Sequence, residues 1–489
     1  MPSTDITRTR KAIMAGWMRL SPRWLPFADA ASADLPLSRI LRLGLFQVSV
    51  GMAMVLLTGV LNRVLIVEMG VSAWLVALMV ALPVLFAPMR ALIGFRSDVH
   101  RSAFGWRRVP FIWFGSLTQF GGLAIMPFAL ILLSGDTQGP AWLGHAAAAL
   151  AFLLVGAGLH TTQTAGLALA ADIASEDKRP RVVALLYVML LLGMLASAFT
   201  FGLLLAEFSP LRLIQVVQGA ALVTMVLNGI ALWKQESRNP GRARGEGIAE
   251  LDLKDAWQQV SRDGRTARFL LVVALGTAGF TMQDILLEPY GAEILGLSVS
   301  ETTQLTAFLA GGTLCAFAFA ARRLTHGADP FRLAALGVLI GIAAFAAVVF
   351  SAPMGAPWLF RVGTFAIGTG GGMFAVATLI IAMSIDAGPA DQRLNGLALG
   401  AWGAVQATAA GVAIALGGVL RDVVAGLTPH LGAAMQGADV PYSVVYHLEI
   451  GVLFVTLIVL GPLVGMRKRA EQRSDAAGST RFGLAEFPG

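Results

Sequence analysis

The chain has 489 residues, of which 56% are hydrophobic and only 13% charged. Soluble domains carry roughly 25% charge, so a soluble enzyme is excluded. The net charge of +7 follows topology: Arg63, Arg212, Arg361 and Arg421 apart, every Lys and Arg lies in alternate gaps between apolar runs or in the terminal segments. This is the positive-inside pattern; it reports orientation, with both termini cytoplasmic, and no nucleic-acid partner. The lone Cys315 excludes a disulfide framework, and the six histidines show no metal-ligand spacing.

Residues 1–39 are basic and interrupted by Pro22, Pro26 and Pro36, without the apolar stretch of a signal peptide. Met14, Trp17, Met18 and Trp24 among arginines suggest a segment on the membrane surface. A first bundle (40–233) holds apolar runs at 43–67, 71–89, 109–133, 142–171, 182–205 and 213–233, each long enough to span a bilayer. A hydrophilic linker (234–268) follows, in which Ile248, Leu251, Trp257 and Val260 mark an imperfect amphipathic helix. The second bundle (269–466) has runs at 269–287, 302–321, 333–351, 362–385, 394–420 and 444–466, and residues 467–489 form a polar tail. The expected fold is an all-α polytopic membrane protein of twelve transmembrane helices in two pseudo-symmetric halves of six.

Between the second and third runs lies the basic loop 94–108, GFRSDVHRSAFGWRR. It resembles the loop after the second helix of major facilitator superfamily transporters, which implies gating or structural roles for Gly94, Asp98, Gly105, Arg107 and Arg108. The six residues between Asp98 and Gly105 exceed the usual spacing, and so depart from an ordinary transporter gate. Asp172, Asp177 and Arg179 after the fourth run recur as Asp386, Asp391 and Arg393 after the tenth, at an offset of 214. The same offset pairs Gly156 with Gly370 and Gly158 with Gly372, as duplicated halves predict.

Inside the membrane, His160 precedes Asp172 by twelve residues, roughly 18 Å at 1.5 Å per residue, which is near the midplane. Gln163 shares its face, and in the repeat register His160 opposes Phe374. Polar groups at that depth face the protein interior or a cavity. Two readings stand: a histidine hydrogen-bonded to a neighbouring helix, or an axial ligand to the magnesium of a chlorophyll-type ring. Gly368, Gly370, Gly371 and Gly372 either pack helices closely or leave a smooth wall for a large flat ligand. Asp284 and Glu288 stand one turn apart in the seventh run, at the depth of Arg63 and Asn62. The expectation is a clasp of Arg63 with Asp284 or Glu288; proton coupling through Asp284 is the sharper alternative. Glu68, Glu293 and Glu449 are expected to be solvated at membrane ends. No P-loop, nucleophile motif or dinucleotide fingerprint occurs, and the paired aspartates have the wrong spacing for a diphosphate site, so the chain does not read as an enzyme.

Several strings resemble one family more closely: LGLFQVSVG (43–51), LNRVLIVE (61–68), APMRALIGFRSD (87–98), GWRRVP (105–110), QFGGLAIMPF (119–128) and HTTQTAGLALA (160–170). They are similar to the PucC/LhaA or bacteriochlorophyll delivery family, and the resemblance covers residues 36–466. It implies a light-harvesting assembly factor in the inner, photosynthetic membrane that delivers or shields bacteriochlorophyll or a precursor as bound cargo. It also implies antenna polypeptides as partners, and with them chlorophyll synthase and the membrane insertion machinery. His160, Gln163, Gly370, Gly372 and Phe374 are then candidate pigment contacts. A secondary transporter of a tetrapyrrole or small solute is the alternative.

Overall fold

The computed structural model describes residues 35–464 except 86–92, 94–96, 98–105, 135–139, 176–177, 237–263, 385–391 and 431–435. Apolar runs become helices because lipid offers backbone groups no partner outside their own helix. In chain order these are α1 (Leu37–Glu68), α2 (Ala73–Leu85), α3 (Val109–Leu133), α4 (Ala141–Ile173), α5 (Arg179–Leu204) and α6 (Pro210–Leu232). The second set is α7 (Gly264–Glu293), α8 (Val299–Thr325), α9 (Pro330–Ser351), α10 (Pro357–Ser384), α11 (Gln392–Leu427) and α12 (Val440–Leu460). Among the described residues eleven helices are long and apolar enough to cross a membrane, and α2 is shorter but equally apolar. The chain is an integral membrane protein.

Local chemistry sets several helix starts. Ser298 caps α8 in a capping box with Glu301. Asp329 accepts from Phe331 N at 3.0 Å ahead of Pro330 in α9, and Ser209 precedes Pro210 at α6 in the same manner. Gly70 and Gly296, at φ +65° and +67°, make the α1–α2 and α7–α8 turns, a backbone conformation that a Cβ disfavours.

The packing repeats under a shift of six helices. α3 packs on α4 as α9 does on α10; α3 on α6 as α9 on α12; α1 on α5 as α7 on α11; and α2 on α4 as α8 on α10. The halves meet through α2 against α11 and α5 against α8, which completes the two-fold pattern expected of the major facilitator fold. Large apolar side chains such as Leu203, Ile458, Phe114 and Phe128 remain exposed on the lateral surface, where lipid replaces water as solvent.

Helix contacts depend on missing side chains. A Cβ on Gly370 would lie 2.6 Å from Gly337 O, one on Gly158 2.4 Å from Gln119 N, and one on Gly372 3.0 Å from the Ala316 Cβ. Of the two readings of the tenth-span glycines, packing is what the structure displays at both Gly370 and Gly372. The repeat register needs a correction here. Gly156 faces Pro83 of α2, whereas Gly370 faces α9; Gly158 faces α3, whereas Gly372 faces α8. The two glycines exchange faces between the halves, so the offset of 214 does not carry through α4 and α10. Each helix needs one small residue toward each of two neighbours, and the two helices meet that need in different order.

Gly370→Leu is expected to cost about 1–3 kcal/mol by overpacking and to lower the thermal midpoint in detergent. Gly229→Ala, where a Cβ meets nothing within 4 Å, should leave it nearly unchanged.

Candidate functional site

Three polar centres occupy the interior. The first lies where α4 faces α1. His160 is half-buried and Gln163 is buried; Gln163 Nε2 is 3.5 Å from Oε1 of Gln47 on α1, and Gln47 is itself wholly enclosed. Phe374 does not join His160, because its ring abuts Gly276 and Phe280 within the second half. Gly370, Gly372 and Phe374 are thus engaged in helix packing and supply no wall beside the histidine. Next to this centre, in the same half, runs a neutral network that the sequence reading did not single out. Ser49 donates to Asn228 Oδ1 at 2.7 Å, Asn228 Nδ2 donates to Ser116 Oγ at 2.8 Å, and Gln119 Nε2 donates to Ser49 O at 3.3 Å. It ties α1, α3 and α6 together. The only signal in the sequence is four uncharged polar residues inside apolar runs, and such residues at that depth must find partners.

The second centre lies at the helix ends nearer the chain termini. Arg108 Nε donates to Asp172 Oδ2 at 3.1 Å, Arg107 Nη2 approaches the same oxygen at 3.4 Å, and Arg108 Nη1 donates to Ser97 Oγ at 2.5 Å. The basic pair of the loop and the acid after the fourth span, read separately in the sequence, are one contact. Glu236, just past α6, accepts from the backbone N–H groups of Arg107, Arg108 and Val109 at 2.7–3.3 Å. It caps α3 with a negative charge where the helix dipole is positive. Arg179 Nε donates to Ala171 O at 2.9 Å. The expectations for Gly94, Asp98, Gly105, Asp177, Asp386 and Asp391, for the Arg393 side chain, and for the surface and linker helices lie outside the described residues.

The third centre is at the opposite end of the helices. The expected clasp of Arg63 with Asp284 or Glu288 is not what forms: Arg63 Nη1 pairs with Glu68 Oε1 at 2.6 Å, and its Nη2 lies 3.5 Å from Leu297 O. The cause is local. α1 is π-helical over Val55–Leu61 and Val64–Glu68, and a five-residue repeat stacks positions 63 and 68 that a regular α-helix would splay apart. Glu68 and Glu293 are exposed, as expected at membrane ends, and each is also paired: Glu68 with Arg63, and Glu293 with Arg421 at 2.9 Å while accepting from Tyr442 at 2.7 Å. Glu449, expected in water, is completely buried. It stands at mid-helix in α12 and faces a break in α7, where Met282–Ile285 tightens to a 3₁₀ turn and frees backbone groups. Glu449 Oε1 accepts from Gln283 N at 2.6 Å, and Asn62 Nδ2 donates to Ile285 O at 3.2 Å. Tyr290, Tyr442, Tyr446, Phe345 and Phe360 form an aromatic box beside it, with neighbouring ring centroids 5.5–6.2 Å apart.

Glu236→Ala removes an acceptor shared by three N–H groups and should destabilise the chain by about 1–2 kcal/mol, within the range of helix caps. Thermal unfolding in detergent would read this loss, and Glu236→Gln should recover part of it.

The comparisons with known proteins agree with this architecture. The family described as PUCC protein matches residues 60–468. An uncharacterised protein of the puhA–bchM intergenic region of Rhodobacter capsulatus is 55% identical over 472 residues, 96% of this chain and 98% of that protein. Protein PucC of Rhodovulum sulfidophilum is 54% identical, covering 87% of this chain and 93% of its own. A Rhodobacter capsulatus protein named bacteriochlorophyll synthase 44.5 kDa chain is 28% identical over 79% of this chain and 87% of its own. Among solved structures, a variant of the nucleoside transporter NupG superposes with a TM-score of 0.63 at 13% identity, over 87% of this chain and 100% of its own. An inward-facing bacterial homologue of the lysosomal transporter Spinster gives 0.59 at 14%, over 86% and 95%. Those two likenesses establish the fold. By the extent of the family match and the identity of its relatives, the chain belongs to the PucC family of membrane proteins.

Proposed function

We propose that the protein is an assembly factor for photosynthetic light-harvesting complexes, which holds bacteriochlorophyll or a precursor as cargo and chaperones antenna polypeptides without catalysing a reaction. The observation that carries this reading is the family match over residues 60–468, together with the role that the sequence resemblance implies. The relative named as a synthase chain is the most distant of those compared, at 28% identity. In this reading the chain resides in the inner or intracytoplasmic membrane with both termini in the cytoplasm, and chlorophyll synthase and the insertion machinery are its neighbours. His160, beside Gln163 and Gln47, offers an imidazole to the pigment's magnesium from the first half; the tenth-span glycines take no part. An apolar lateral groove of about 400 Å³ between α1, α5 and α6, lined by Val48, Met52, Leu204 and Val223 among others, suits a hydrocarbon tail. Exposed apolar side chains elsewhere on the lateral surface suit single-span antenna helices.

The protein purified from a phototrophic host should carry pigment absorption and co-purify with antenna polypeptides. His160→Ala should lower retained pigment several-fold while leaving the folded yield intact. A colourless preparation that captures no antenna polypeptide would end this reading, and unchanged pigment in His160→Ala would remove His160 from it.

One observation favours a second reading, transport by alternating access. Among the described residues, the contacts between halves gather at the end away from the chain termini: Asn62 to Ile285 O, Arg63 to Leu297 O, Trp74 N to Asp422 Oδ2 at 2.8 Å, and Gly202 against Ser300 and Gln304. Proteoliposomes should then accumulate a tetrapyrrole or small solute, and Asp284→Asn should abolish any proton-linked part of the flux. Equal uptake by protein-free liposomes would reject transport.

A further inference from the structure

Three carboxyls of the second half have no cation beside them among the described residues. Glu288 is 5% exposed, Glu449 is fully enclosed, and Asp284 is half-buried. Glu288 Oε1 accepts from Thr306 Oγ1 at 3.1 Å, and Asp284 Oδ1 accepts from Gln283 Nε2 at 2.5 Å. The second oxygens of Glu288 and Glu449 are enclosed and accept from no described group. The nearby cations are all committed: Arg63 to Glu68, Arg421 to Glu293 and Asp422, and Arg361 to Glu301. The remaining titratable groups around the cluster are Tyr290, Tyr442, Tyr446 and Asp439, none of them cationic.

A separate observation points to a ligand. Tyr446, on α12 one turn before Glu449, is wholly enclosed, and its hydroxyl has no hydrogen-bond partner among the described residues. It stands within electrostatic reach of both Glu449 and Glu288. Buried carboxylates without a counter-charge are costly, and no group of three acidic, histidine or cysteine side chains among the described residues converges closely enough to hold a metal ion. A proton is the remaining cation that such an enclosure accommodates.

The cluster also lies directly behind the contact between halves. Thr306, which donates to Glu288, fills the space that a Cβ on Gly59 of α1 would need, and Asn62 grips Ile285 O between Asp284 and Glu288. We propose that Glu288, with Asp284 and Glu449, forms a proton-binding site whose occupancy holds the two halves together at this end. With its proton, Glu288 is a neutral neighbour of α1. Without it, a charge beside Asp284, which itself faces Glu449, repels its surroundings, so the closed contact weakens as pH rises. This holds whichever cargo the chain carries, so the pigment reading and this one fail independently.

The test uses the full chain in lipid nanodiscs, with the exposed Cys315 replaced by Ala and spin labels at Ser72→Cys and Gly426→Cys. The label distance should lengthen as pH rises, and Glu288→Gln should lose that response and stay at the short distance. A carbodiimide that attacks protonated carboxyls in apolar surroundings should label Glu288 or Glu449 of the unsubstituted protein at low pH, and fail to label them at high pH, by mass spectrometry. This second measurement decides the matter even if Glu288→Gln does not fold. A pH-independent distance in the unsubstituted protein, or absence of labelling at every pH, overturns the proposal. Lengthening or shortening driven by sodium at fixed pH would assign the site to a metal cation, and the proton assignment would fail.

Discussion

The interaction on which the far end of the molecule depends is the repair of the break in α7. A membrane-spanning helix that tightens at Met282–Ile285 releases an N–H and a C=O into hydrocarbon, and each must find a partner there. The N–H of Gln283 finds Glu449 on α12, and the carbonyl of Ile285 finds Asn62 on α1. A single irregularity therefore binds three helices from both halves. Glu449 lies at mid-helix in α12 (Val440–Leu460), and the N–H that the break frees is the donor it meets there. The π-helical widening of α1 is the matching distortion: it turns Asn62 toward the break and lets Arg63 satisfy itself with Glu68 in its own helix.

The two halves share a helix arrangement but not an interior chemistry. In the first, neutral amides and hydroxyls link α1, α3 and α6, with Ser49, Ser116, Gln119 and Asn228 satisfying one another. Such a network neither titrates nor pays the desolvation of a charge, so it serves as a rigid frame. In the second, carboxyls and tyrosines stand together around the α7 break. Architecture is common to many transporters with which this chain shares about one residue in seven or eight; function must be argued from these interiors, since fold alone does not assign it.

Much of the fold was legible because lipid enforces it. Apolar runs of about 20 residues act locally, because a backbone in hydrocarbon must satisfy itself, and the helices follow them. The resemblance strings carried the family in the same way. What could not be read depends on departures from regular geometry. The clasp of Arg63 with Asp284 or Glu288 is expected from their common depth, and nothing in the residues of 55–68 announces the π-helix that brings Glu68 to Arg63 instead. Glu449 is expected in water because the last apolar run begins at 444, whereas α12 begins at Val440 and carries Glu449 at mid-helix. The glycines of α4 and α10 matched in spacing, yet a match in spacing does not fix which face meets which neighbour. The contact of Arg107 and Arg108 with Asp172 and Glu236 joins segments 64 to 129 residues apart, and each segment alone reads as a charged loop.

The histidine centre and the acid centre lie in different halves, and α1 touches both. Gln47, near its start, meets Gln163 on the face shared with His160, while Asn62 and Arg63 near its far end hold α7 and Leu297 O. Fifteen residues separate Gln47 from Asn62, roughly 20 Å along a helix. A packed helix moves as a unit over that length more readily than it bends, and Gly51 and Gly59 let it lie directly against α5 and α8. A shift of α1 that loosens the contact at Ile285 therefore also moves Gln47 relative to Gln163. If cargo sits at His160 and a proton at Glu288, as proposed, both sites bear on the same helix. Coupling of that kind requires only that α1 have two stable positions against its neighbours, and that each site prefer one of them.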